Sequence, residues 1–121
     1  MAIPPAAKGV EPISLADAGR KIAAELVPDV IGVQECDYVL ERSGNVNQIA
    51  EIATSIGAPY FAFAPCIIGT PGETWRKLGD GDQRIISNTD SSSHEGSYGI
   101  GIASKIEVVQ WNRLDLGNSP V

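Results

Sequence analysis

The sequence is short of positive charge: nine lysines and arginines stand against fifteen aspartates and glutamates, for a formal net charge of −6. Non-specific grip on nucleic acid comes mainly from cationic side chains displacing counterions, so this balance argues against it. An anionic substrate would need a local basic patch or a metal. Cysteine is also scarce. Cys36 and Cys66 are too few for a disulfide framework and form no CxxC pair, so both are expected to be packed thiols. No stretch approaches the roughly 18 apolar residues of a membrane span, and the opening MAIPPAAKGVEP lacks the basic-then-apolar order of a signal peptide. The expectation is a cytoplasmic chain with no stable membrane insertion. There is no internal repeat.

What is present suits one unit. The 121 residues are 43% hydrophobic, enough for a modest core if the elements pair with one another. Residues 1–13 hold Pro4, Pro5, Gly9 and Pro12 without periodicity and read as an irregular lead-in. From Ser14, a candidate N-cap, the residues Leu15, Ala18, Ile22, Ala23 and Leu26 recur at helical spacing, and Pro28 stops the helix near Val27. Asp29 to Gln34 is short and almost continuously apolar, as in a strand covered on both faces, with Glu35 at its C-terminal end. A second helix follows, capped by Asn45, with Val46, Ile49, Ala50, Ala53 and Ile56 as its stripe and Gly57 and Pro59 as its stop.

A strand over Tyr60 to Ala64 comes next. Residues 65–97 read as a long loop or lid, with a short strand at Arg84 to Ser87. Strands over Tyr98 to Ala103 and Ile106 to Arg113 then form a hairpin about Ser104 and Lys105. This order predicts a mixed sheet flanked by helices, of the α/β or α+β class, with ligands gathering beyond the strand ends.

A carboxylate closing a buried strand is the ligand type that magnesium uses, since this small hard cation takes one or two carboxylates and leaves the rest to water and phosphate. From spacing alone, the plainer reading of Glu35 is a solvated acid at a strand terminus, since strand ends are often simply polar.

Three quoted segments go further. PDVIGVQECD, then ERSGNVNQIAEIA, then YGIGIASKIEVV resemble the endonuclease/exonuclease/phosphatase superfamily of metal-dependent phosphoesterases, which includes relatives of pancreatic deoxyribonuclease and bacterial sphingomyelinases. The resemblance runs from about Ser14 to Val109, with the loop after Cys66 fitting poorly. It implies a four-layer α/β/β/α sandwich. It also implies Glu35 as a ligand of catalytic Mg2+ or Mn2+, Gln34 as its neighbour, and Tyr98 as a hydrogen-bond donor to the scissile phosphate. Arg42 could reach a phosphate oxygen with its planar fork of donors, or pair with a neighbour such as Glu41. The implied activity is hydrolysis of a phosphodiester or phosphomonoester, whether a small molecule, a lipid headgroup or nucleic acid.

Other polar groups have plainer readings. Asp37 is a loop acid or an orienting group, Gln48 faces solvent or caps a loop, Lys105 is a surface charge, and His94 matches neither the place nor the context of the family's histidine base. Asp80 and Asp82 in GDGDQ lack the spacing of a calcium loop. Trp75, Arg76 and Lys77 form either a small substrate-facing patch or a turn packed on the body. The family's first-strand asparagine is missing from residues 1–13, and its later aspartate, asparagine and aspartate–histidine pair do not occur by Val121. The chain therefore reads as part of such a domain, exposing a sheet face through which it could self-associate. The competing reading is an inactive truncated product or an interaction module of the same fold.

Overall fold

The computed structural model describes residues 14–117. The proposed lead-in at 1–13 lies outside them.

Helix α1 (Leu15–Leu26) starts as its sequence demands: the Ser14 side chain accepts a hydrogen bond from the Asp17 N–H at 3.1 Å. Val27 closes it in the left-handed region, just before Pro28. Strand β1 (Val30–Tyr38) follows, then a single 3-10 turn over Glu41–Ser43. In α2 (Gln48–Ile56) the cap is Asn47, whose side chain accepts from the Ala50 N–H at 3.3 Å. Asn45, the expected cap, instead takes a positive φ of 59° in the loop before it. Strands β2 (Tyr60–Gly69), β3 (Trp75–Lys77), β4 (Ile86–Ser87) and β5 (Ser97–Ser104) complete the elements.

The sheet order is β1-β5-β2-β3, with β4 also pairing β2, and every pair is antiparallel. The class is α+β, and the expected mixed sheet is corrected to an antiparallel one. The expected hairpin over Ser104 and Lys105 does not form, because β5 already has β1 on one side and β2 on the other and no edge to offer. Instead the Ser104 hydroxyl donates to the Ile106 carbonyl and accepts from its N–H, turning the chain away. Residues 106–113 contain no strand.

Helix α2 lies on one face of the sheet, with α1 packed on α2. Phe63 and Ile49 are fully buried at their meeting, joined by Val33, Ile52, Ile56, Ile86 and Ala103. Burying each of the larger of these side chains contributes about 1.5–3 kcal/mol. The other face is open: Val30, Ile100 and Ile102 are 52%, 50% and 42% exposed. Strand β1 is thus covered on one face, not two. The described residues build one sheet and one helical layer, and the four-layer sandwich goes beyond them. No helix among them is long and apolar enough to cross a membrane.

The two inner glycines of YGIGIAS answer to this packing. A Cβ on Gly101 would sit 2.7 Å from the Ile49 side chain, and one on Gly99 would sit 2.1 Å from the Ala64 carbonyl oxygen. Gly101→Val is expected to lower stability by about 1–3 kcal/mol, the usual cost of overpacking. Thermal unfolding measures it, and an unchanged midpoint would contradict the packing described.

Candidate functional site

Glu35 does not end its strand. Val33 pairs with Gly101 and Cys36 with Gly99, so Gln34 and Glu35 together face a single residue of β5 and form a bulge. Glu35 adopts a φ of 55°, a region that non-glycine residues visit seldom. The bulge resets the side-chain alternation of β1. Beyond it Cys36 and Tyr38 turn to the helical layer, and Asp37 faces outward opposite Tyr98.

Asp37 is only 5% exposed and must be paired. Arg42 pairs it in bidentate fashion, Nε donating to Oδ2 at 2.9 Å and Nη2 to Oδ1 at 2.7 Å, and the Ser43 hydroxyl donates to Oδ2. Gly44, at a φ of 81°, closes the 3-10 turn by donating its N–H to the Glu41 carbonyl at 3.0 Å. The step Arg42-Ser43-Gly44 is thus a clasp around Asp37. Gln48, expected to face solvent or cap a loop, accepts the Asp37 N–H at 2.8 Å and ties the start of α2 to β1. Burial works to raise the Asp37 carboxyl, but the hydrogen bonds from Arg42 and Ser43 and the charge of Arg42 outweigh it, leaving it below the ordinary carboxylate range.

The clasp sets the Arg42 guanidinium over the Tyr98 ring, 5.7 Å from its centroid. Burial, the charge of Glu35 and a hydrogen bond to Glu35 push the Tyr98 hydroxyl up. Glu35 and Arg42 therefore both reach Tyr98, which is remote from them in sequence, on one patch of the outer face. Glu73, from the turn between β2 and β3, lies near enough for its charge to act on Arg42. The patch is open. The concavity of about 600 Å³ beside α1 and α2 and the groove of about 250 Å³ on the outer face are lined by none of these three residues.

The other candidates lie elsewhere. His94 pairs with Asp90 at 3.0 Å and sets its ring edge against Tyr38, on the helical side of the sheet. Asp82 is held by Arg84 at 2.9 Å. Cys36 is buried, and that burial pushes its thiol up to about 11, whereas Cys66 is exposed and corrects the expectation of two packed thiols. The tract expected as a loop from 65 to 97 holds the second half of β2 and all of β3 and β4, with Trp75, Arg76 and Lys77 on an exposed strand. Sequence reasoning missed Asp37 and Ser43 as the groups that place Arg42. Their signal was the close spacing of an acid, an arginine and a serine before glycine.

Comparison of the chain with protein-family models, with characterised proteins and with solved structures finds no match.

The clasp makes folding sensitive to acid. The Asp37 carboxyl titrates lower in the folded chain than its usual 3.8, so its stabilisation is fully present above about pH 4 and is lost as pH falls through the folded value. Asp37→Asn should cost about 1–3 kcal/mol at neutral pH, with Arg42 partly solvated, and should flatten stability against pH below 4. Urea unfolding from pH 2.5 to 7 reads both effects. A variant as acid-sensitive as the parent would contradict this role for Asp37.

Proposed function

We propose that the outer face of β1 and β5 is part of the site of a metal-dependent phosphoesterase. The observation that carries this reading is the convergence of Glu35 and Arg42, through a bulge and a clasp, each on Tyr98, all three having been singled out by sequence.

Among the described residues no group of three or more histidine, cysteine, aspartate or glutamate side chains could hold a metal ion. That donor set does not fit a zinc or calcium cage built wholly from protein. It fits magnesium or manganese held through Glu35, which is exposed and joined to no cation in an ion pair, with water and substrate oxygens as the remaining ligands. Such an ion polarises a phosphoryl oxygen when bound.

The protein's own contribution is positional. Tyr98 presents a hydroxyl that burial and Glu35 keep protonated; its one proton, given to Glu35 here, would turn to a phosphate oxygen as charge grows on it. Asp37 uses Nε and Nη2 of Arg42, leaving Nη1 to face an anion, and the Tyr98 ring supports the guanidinium plane. The same use of Arg42 by Asp37 favours the second reading, an interaction module without chemistry, since it commits most of the arginine's fork to structure.

Magnesium-dependent hydrolysis of methyl p-nitrophenyl phosphate separates the two readings. Glu35→Gln is expected to lower kcat/KM by about 100-fold and Tyr98→Phe by about 10- to 100-fold in kcat. Activity unchanged in Glu35→Gln would defeat the phosphoesterase assignment, and absence of magnesium-dependent activity in the full-length protein would favour the module.

A further inference from the structure

Five arginines lie among the described residues, and each is paired with a carboxylate: Arg20 with Asp17, Arg42 with Asp37, Arg76 with Glu95, Arg84 with Asp82 and Arg113 with Asp115. Lys77 is exposed and has no such partner. Its position is set by register. Asp37 pairs with Tyr98, Tyr98 with Ile67 and Ile67 with Lys77, so these four residues form one row across the sheet, and directly paired residues share a face. Two strand spacings place Lys77 about 10 Å from Tyr98, on the same outer face.

Trp75 belongs to that face too, two residues along β3 from Lys77 and about 7 Å further on. Arg76 between them points the other way and is held by Glu95 at 3.0 Å. Trp75 is 48% exposed although it is the largest side chain of its strand. The turn behind it is closed tightly: Gly69, at a φ of 97°, pairs with Trp75, the Thr70 N–H donates to the Thr74 carbonyl at 3.1 Å, and a Cβ on Gly69 would meet that carbonyl at 2.3 Å. The hairpin therefore holds a bare indole and an unpaired ammonium in fixed relation to Tyr98, while its tip carries Glu73 toward Arg42.

We infer that the β2–β3 hairpin is the recognition arm of the site and that it takes a nucleotide, the base stacking on Trp75 and a phosphate meeting Lys77. This rests on the phosphoesterase reading for what happens at Tyr98, but the arm binds whether or not chemistry follows. Stacking on an aromatic side chain accepts any planar base, and an ammonium meets phosphate as a point charge. A choline headgroup also seeks an aromatic face, but the ammonium of Lys77 beside the indole repels its positive charge. The overall acidity of the chain fits a short ligand held at a local basic point.

The test uses the Trp111→Phe chain, in which Trp75 is the sole tryptophan, titrated with a phosphorothioate-linked thymidine dinucleotide and, separately, with phosphocholine. The dinucleotide is expected to quench Trp75 fluorescence saturably, Lys77→Gln to weaken binding by about 10-fold, and phosphocholine to leave the emission unchanged. Lys77 is exposed, so its exchange does not threaten the core. Absence of quenching, quenching indifferent to Lys77→Gln, or equal quenching by phosphocholine would overturn the inference. Saturable, Lys77-dependent quenching in a chain that hydrolyses nothing would uphold the arm and remove the phosphoesterase reading, and hydrolysis without quenching would do the reverse.

Discussion

A carboxylate taken out of water has to be paired, and the pairing of Asp37 organises the rest of this site. Because Asp37 is buried on the outer face, the chain after β1 must return an arginine and a hydroxyl to it. The 3-10 turn and Gly44 make that return possible. Arg42 is then held in one orientation instead of sampling solvent, and that orientation puts it over Tyr98. The bulge at Gln34 and Glu35 is the other half of the constraint. Without its extra residue, Asp37 would point into the helical layer, away from Arg42.

Central placement of β5 does comparable work for the fold. With β1 and β2 on its two sides, β5 can carry Gly99 and Gly101 where the neighbouring backbone and α2 press closest. Its outward residues, Tyr98, Ile100 and Ile102, remain uncovered by helix. One strand thus supplies both close packing in the core and a hydroxyl for the candidate site.

Much of this was legible because it is local. The helices announced themselves through stripes of apolar residues, the Ser14 cap and the stops at Pro28 and Gly57. What failed was non-local. Gln34 and Glu35 read as the polar end of a strand because a bulge leaves no mark in an alternation pattern, and only the partner strand reveals it. Ile106 to Arg113 looked like a hairpin partner for β5 because its residues suit a strand, but both sides of β5 were taken by segments far away in sequence. Asn47 displaced Asn45 as the cap since the isolated bridge between Tyr38 and Asn47 fixes where α2 begins. Of the site, Glu35, Arg42 and Tyr98 were named from sequence, and the clasp that joins them was not.

On the proposed reading, a divalent ion would be held at Glu35 beside Tyr98. Titration with Mn2+ while recording the amide spectrum tests that directly, because the paramagnetic ion broadens only nearby signals. Broadening should begin at Gln34, Glu35 and Cys36 and at the facing amides of Tyr98 and Gly99, leaving α1 untouched at equal ion concentration. Broadening that begins at Asp80 and Asp82, or that spreads evenly over the acidic surface, would contradict it.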